Sequence, residues 1–116
     1  MTVEVHVRQN DEVLEVSLSG AIDREVAEVI DGAVLAVAGR TRLTLVNLDG
    51  AVLIDRDGLQ AMVRRLVDQG GTARVGLVCG RSGSVELLRR WGISHLLPVY
   101  PSFDDALRRE PSAGPA

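Results

Sequence analysis

Three aspartates crowd one short stretch of this sequence: Asp49, Asp55 and Asp57, the last two inside Ile54-Asp55-Arg56-Asp57-Gly58-Leu59. Carboxylates gathered behind a strand can hold a divalent metal and accept a phosphoryl group, as they do in receiver domains. That chemistry also needs a lysine to contact the phosphoryl group, and all 13 basic residues here are arginine. The same absence removes Schiff-base catalysis and a P-loop lysine. A simpler role fits the pair. Asp55 can cap the helix that follows and set Asp57 in its first turn, where the helix dipole favours negative charge.

Other candidates for chemistry are weaker. Gly80-Arg81-Ser82-Gly83-Ser84 has the outline of a nucleophile elbow, but its last position is serine where the elbow needs glycine. A loop and a helix cap explain it better. His6 and His95 lie far apart, and with Cys79 as the single cysteine there is no ligand-spaced cluster, so no metal site and no cofactor are expected. The chain reads as a binding protein, not an enzyme.

The elements that must position these residues follow from periodicity. Val3, Val5 and Val7 alternate with Glu4, His6 and Arg8, and Leu14, Val16 and Leu18 alternate with Glu15, Ser17 and Ser19. Period two means a strand with one buried face, and the short polar link makes the pair an antiparallel hairpin that Gly20 ends. From Asp23, a plausible N-cap, Val26, Val29/Ile30, Ala33/Val34 and Val37 fall at helical spacing, with Gly39 just past the end. Residues 43–48 suit a strand buried on both faces, and Leu59, Met62/Val63 and Leu66/Val67 mark a second helix closed by Gly70-Gly71. Residues 73–79 read as another buried strand. Ser82 or Ser84 could cap a third helix carrying Val85, Leu88 and Trp91 and ending at Gly92. Residues 96–100 read as a short last strand, with Pro98 marking a sheet edge. Ser102-Phe103-Asp104-Asp105 has capping-box form and opens a fourth helix through Arg109, leaving 110–116 as a disordered tail.

The order β-β-α-β-α-β-α-β-α predicts one α/β domain over residues 1–109: a mixed sheet led by an antiparallel hairpin, with helices packed on it. One local signal opposes this. Asp49-Gly50 has the form of a type I′ turn, which would fold residues 43–54 into a hairpin. The expected core comprises Val5, Leu14, Val16, Leu18, Val29, Leu45, Val46, Leu66, Val75, Leu77 and Leu88.

Composition closes off several function classes. The chain has 116 residues, 46% hydrophobic and 25% charged, which is globular composition. Its net charge of −3 and its three aromatics, Trp91, Tyr100 and Phe103, argue against direct nucleic-acid binding. One cysteine rules out an internal disulfide. The N-terminus lacks the apolar core of a signal peptide, and apolar runs stop far short of the roughly 20 residues a membrane span needs. A cytoplasmic protein with no membrane insertion is expected.

The order of elements, Leu18-Ser19-Gly20-Ala21-Ile22-Asp23, and Val46-Asn47-Leu48 followed by Ile54-Asp55-Arg56-Asp57-Gly58-Leu59 together resemble the STAS domain of anti-sigma factor antagonists. The resemblance covers roughly residues 3–109, and Gly92-Ile93 matches the way the family's third helix ends. It implies a STAS-like fold and a protein partner: an anti-sigma factor with a kinase-type fold, which phosphorylates the second serine of Asp-Ser-Ser-Gly-Leu and so blocks binding. Carried over, Asp55 matches the leading aspartate and Gly58-Leu59 the end of the motif. Arg56 stands for the first serine and Asp57 for the phospho-acceptor, so a serine kinase has nothing to modify there. The implied partner surface centres on Asp23, Asn47, Asp55, Arg56, Asp57, Gly58 and Leu59. A homodimer stays open. Two rivals remain: a cytoplasmic STAS accessory subunit of a lipid or anion transport complex, and a small-anion or nucleotide binder using the helix N-terminus. Asp57 counts against the second, because it puts a negative charge where the anion would sit.

Overall fold

The computed structural model describes residues 4–10, 13–22, 42–53, 55–69 and 74–109. Strands β1 (Glu4–Asn10) and β2 (Val13–Ile22) form the expected antiparallel hairpin, with Glu4 opposite Ser19 and Asn10 opposite Val13. β3 (Leu43–Leu53), β4 (Arg74–Val78) and β5 (Val99–Tyr100) then add in parallel, each beside the one before it, giving the order β1-β2-β3-β4-β5. Three helices lie among the described residues: α1 (Arg56–Gln69), α2 (Ser82–Arg90) and α3 (Phe103–Arg109). The helix expected from Asp23, with its core residue Val29, and the tail 110–116 lie outside the described residues.

The sheet is covered on both faces. On one, Leu14, Val16 and Leu18 from β2, Val46 and Leu48 from β3 and Leu77 from β4 meet Leu59, Met62 and Leu66 from α1 and Leu88 from α2. On the other, Leu43, Leu45, Val78 and Tyr100 form a second cluster with Ala106 and Phe103 of α3. Each buried leucine contributes about 1.5–3 kcal/mol by leaving water. Val5 and Val75 from the expected core are only partly buried, packed at the margin of the first cluster. Because β2 is an interior strand, its polar side is covered too: Glu15 is only 8% exposed. It accepts a hydrogen bond from Arg8 Nη2 at 2.9 Å, its neighbour across the hairpin, so its charge is paired.

Asp49-Gly50 does not form a turn. β3 runs straight through it to Leu53 while continuing to pair with β2, which likewise runs through Gly20 to Ile22. Between Ser17–Asn47 and Ser19–Gly50 the register gains one residue on β3, a bulge. The extra residue shifts the phase, so that Ala51 falls on the same buried face as Val46 and Leu48. Gly50 is needed for space and not for a turn: a Cβ there would sit 3.1 Å from the Cβ of Ser19.

Two smaller expectations are corrected. Neither Ser82 nor Ser84 caps α2. Arg81 holds the N-cap position without a side-chain cap bond, and the serines fall inside the helix. The last strand is not 96–100. Residues Ile93–His95 make a 3-10 turn and β5 begins only at Val99, after Pro98, which lacks the N–H a strand would donate. Pro98 still takes part in the edge, since its carbonyl accepts the Leu77 N–H at 2.9 Å. Gly92, with φ of 78°, ends α2 as expected, and Ser102 Oγ caps α3 by accepting the Asp105 N–H at 3.0 Å.

Candidate functional site

The Asp-Arg-Asp-Gly-Leu segment becomes a capped helix start. Asp55 precedes α1, and its Oδ1 accepts the backbone N–H groups of Asp57 at 3.0 Å and Gly58 at 3.1 Å. Its carbonyl takes the Leu59 N–H at 3.0 Å, the first bond of the helix. One side chain therefore satisfies two of the donors that every helix leaves unpaired at its N-terminus. Arg56 and Asp57 are exposed and Gly58 is buried. The result is a capped first turn that shows solvent one cation and one anion, side by side.

Leu59 belongs to the interior. It is 0% exposed and sits in the first core cluster, so its side chain anchors α1 to the sheet and cannot meet a partner. Its place in the expected surface is corrected on that ground: the chain must turn inward one residue after the exposed pair to bury the apolar stripe of α1. Next to it, Gln60 Nε2 ties the start of α1 to the end of α2 by donating to the Trp91 carbonyl at 3.1 Å.

Asn47 joins a different cluster. It faces Val78 in the last β3–β4 pair, and beyond it β3 travels on with β2 alone. The bulge residue Asp49 bridges the gap this opens. Its N–H is held by Asn47 Oδ1 at 2.9 Å, its Oδ1 accepts the Gly80 N–H at 2.7 Å, and its carbonyl accepts from Arg81 Nη1 at 3.3 Å. The projecting end of β3 and the first turns of α2 enclose a shallow cleft of about 330 Å³ lined by Ala51, Val52, Arg81, Gly83, Ser84 and Leu87. Asp49, grouped by sequence with Asp55 and Asp57, instead joins Asn47 and Arg81, which the sequence reading did not connect with it. The available signal was Asn47 two residues before Asp49, the spacing at which an asparagine side chain accepts a backbone N–H. Asp23 lies outside the described residues.

Cys79, beside this edge, is 1% exposed, and burial pushes its thiol above the ordinary value, the wrong direction for a nucleophile. Among the described residues, no group of three or more His, Cys, Asp or Glu side chains is arranged to hold a metal ion, and no helix is long and apolar enough to cross a membrane.

No protein-family model matches the chain, and no curated protein does either. Solved structures do. An anti-sigma factor antagonist from Mycobacterium paratuberculosis superposes with a TM-score of 0.76 at 26% identity, over 92% of each chain. The Bacillus cell fate determinant SpoIIAA in its phosphorylated form gives 0.64 at 14% identity, over 91% of this chain and 98% of that one. The STAS domain of a SulP transporter from Vibrio cholerae gives 0.63 at 19% identity, over 86% and 81%. The chain has the STAS fold, as these superpositions over most of its length show.

Proposed function

We propose that this STAS-fold chain is a regulatory module that binds an anti-sigma factor of the serine-kinase type and so controls sigma-factor-dependent transcription. The observation that carries the reading is the capped start of α1, which presents Arg56 and Asp57 to solvent. A partner reading this turn reads charge, not a modifiable hydroxyl. Asp57 has one negative charge and two acceptor oxygens, where a phosphoserine would have about −1.5 to −2 and three. The switch is thus set in the sequence, and control passes to the partner's own level or state.

The test is calorimetric titration of a purified kinase-fold anti-sigma factor from the same organism, with the wild type and with Asp57→Ser. If Asp57 faces a partner carboxylate, serine tightens binding by about fivefold, the value of two unit charges about 4 Å apart under water-like screening. If the partner has placed an arginine opposite, binding weakens by a similar factor. Both differences shrink as salt rises. Equal affinities for the two forms would sink the role given to Asp57, and no binding in either would sink the partner class. The likeness to a SulP transporter STAS domain favours a second reading, an accessory subunit of a transport complex. Co-purification with transporter subunits in place of a kinase-fold protein distinguishes the two.

A further inference from the structure

We propose that β1 is a self-association edge: two copies of this chain pair antiparallel through β1, about a two-fold axis at His6, joining their sheets into one. The inference is independent of the partner proposed for α1. In the strand order β1 lies at the margin, with β2 on one side and, among the described residues, nothing paired to the other. Exposed strand edges are templates for further pairing, and charged side chains usually blunt them. Here the charges are arranged to complement a copy of themselves.

Antiparallel pairing centred on His6 sets Glu4 opposite Arg8 of the second copy, Val5 opposite its Val7 and His6 opposite its His6. The two-fold repeats the Glu4–Arg8 and Val5–Val7 pairs, while the His6 pair lies on the axis. Opposite charges then face each other on one side of the joined sheet and aliphatic side chains on the other, the cross-strand pairs that stabilise antiparallel ladders. Moving the centre to Val5 or Val7 loses the Glu4–Arg8 match, so the charges select one register. The alternation of the hairpin supports the same faces. Val5 stands opposite Leu18 and Val7 opposite Val16, on the side of the first core cluster, whereas Arg8 stands opposite Glu15 on the other.

The individual side chains are available for this. Val7 is 45% exposed although it sits on the core side of the strand, and the Val5 of a second copy would cover it. Glu4 and His6 form only a loose exposed pair at 3.8 Å. Arg8 has a largely exposed side chain and donates through Nη2 to the buried Glu15 at 2.9 Å. A guanidinium carries five donors, so it can hold Glu15 in place and still meet Glu4 of the second copy. A contact confined to one short strand falls below about 1,200 Å² of buried surface, the class of weak and transient interfaces.

Sedimentation velocity across about 10 µM to 1 mM, the range for such affinities, should show a concentration-dependent dimer. Glu4→Arg should abolish it, because arginine would then face Arg8. Cysteine cross-linking fixes the geometry, with Cys79 giving little background because it is 1% exposed. Under mild oxidation His6→Cys should cross-link to itself. Glu4→Cys and Arg8→Cys should each cross-link poorly alone but well when mixed. A wild type that stays monomeric to about 1 mM, or three single variants that cross-link equally, would overturn the proposal. Circular dichroism of each variant establishes that it is folded before either result is read.

Discussion

Replacing Asp55 by alanine should loosen the start of α1 in a way that can be measured at individual amides. The variant removes the Oδ1 that accepts the N–H groups of Asp57 and Gly58 at 3.0 and 3.1 Å. Losing an N-cap of this kind costs about 0.5–2 kcal/mol. Losing the negative charge at the positive end of the helix adds about 0.3–1 kcal/mol. Asp55→Asn separates the two, because asparagine keeps an acceptor oxygen and gives up the charge. For a chain of this size about 1 kcal/mol corresponds to roughly 4 °C in Tm. Asp55→Ala should therefore melt about 3–12 °C below the wild type and Asp55→Asn about 1–4 °C below it, by differential scanning calorimetry. Hydrogen exchange adds the local test: the Asp57 and Gly58 amides should exchange faster in the alanine variant, while those of β2 and β3 keep their protection. If alanine and asparagine lower Tm equally, or the two amides exchange no faster, Asp55 is not what holds this turn.

Two further outcomes follow from the same sheet edge. Asp49→Ala leaves the Gly80 N–H without its acceptor where β3 and β4 part, and should cost about 1 kcal/mol in urea denaturation, with Asp49→Asn between it and the wild type. Cys79 should react with a thiol reagent only as fast as the protein opens, because it is 1% exposed and burial, the leading cause, raises its thiol above the ordinary value. The sign of the linkage follows: the folded state holds this proton more tightly than the unfolded one, so the contribution is fully present below the ordinary thiol pKa and is lost as pH rises past it. Stability at alkaline pH should fall less steeply in Cys79→Ala, and an equal slope would refute the assignment.

Much of the fold was legible because its signals are local. The alternation around Val5 and Val16 sets a hairpin, since in an extended chain every second side chain shares a face. Asp55 and Ser102 mark helix starts, since an acceptor two or three residues before a free N–H needs no distant partner. Gly92 marks a helix end, since the left-handed conformation it adopts costs other residues their Cβ clearance. The general layout of the sheet follows from strands alternating with helices, whatever side chains fill the core.

Other features depend on neighbours that sequence spacing does not reveal. Asp49-Gly50 carries the local signature of a turn, yet β2 keeps pairing with β3 through Leu53, and the ladder bonds it supplies outweigh the turn's preference. Only once β4 has ended at Val78 is there a gap for the Asp49 carboxylate to close, which is why Asp49 and Arg81 were not recognised as one cluster. Glu15 reads as a solvent-side residue until β2 proves to be an interior strand with both faces covered. Leu59 reads as the end of a surface motif until α1 is laid on the sheet and its apolar stripe turns inward. The β1–β2 hairpin, the start of α1 and the carboxylate that caps it are settled within a few bonds of the chain, whereas the length of β3 and the start of β5 are not. Packing decided what periodicity leaves open, that the polar side of β2 is covered at Glu15 while Val7 on the core side stays exposed, because burial is set by whatever else lies against a face.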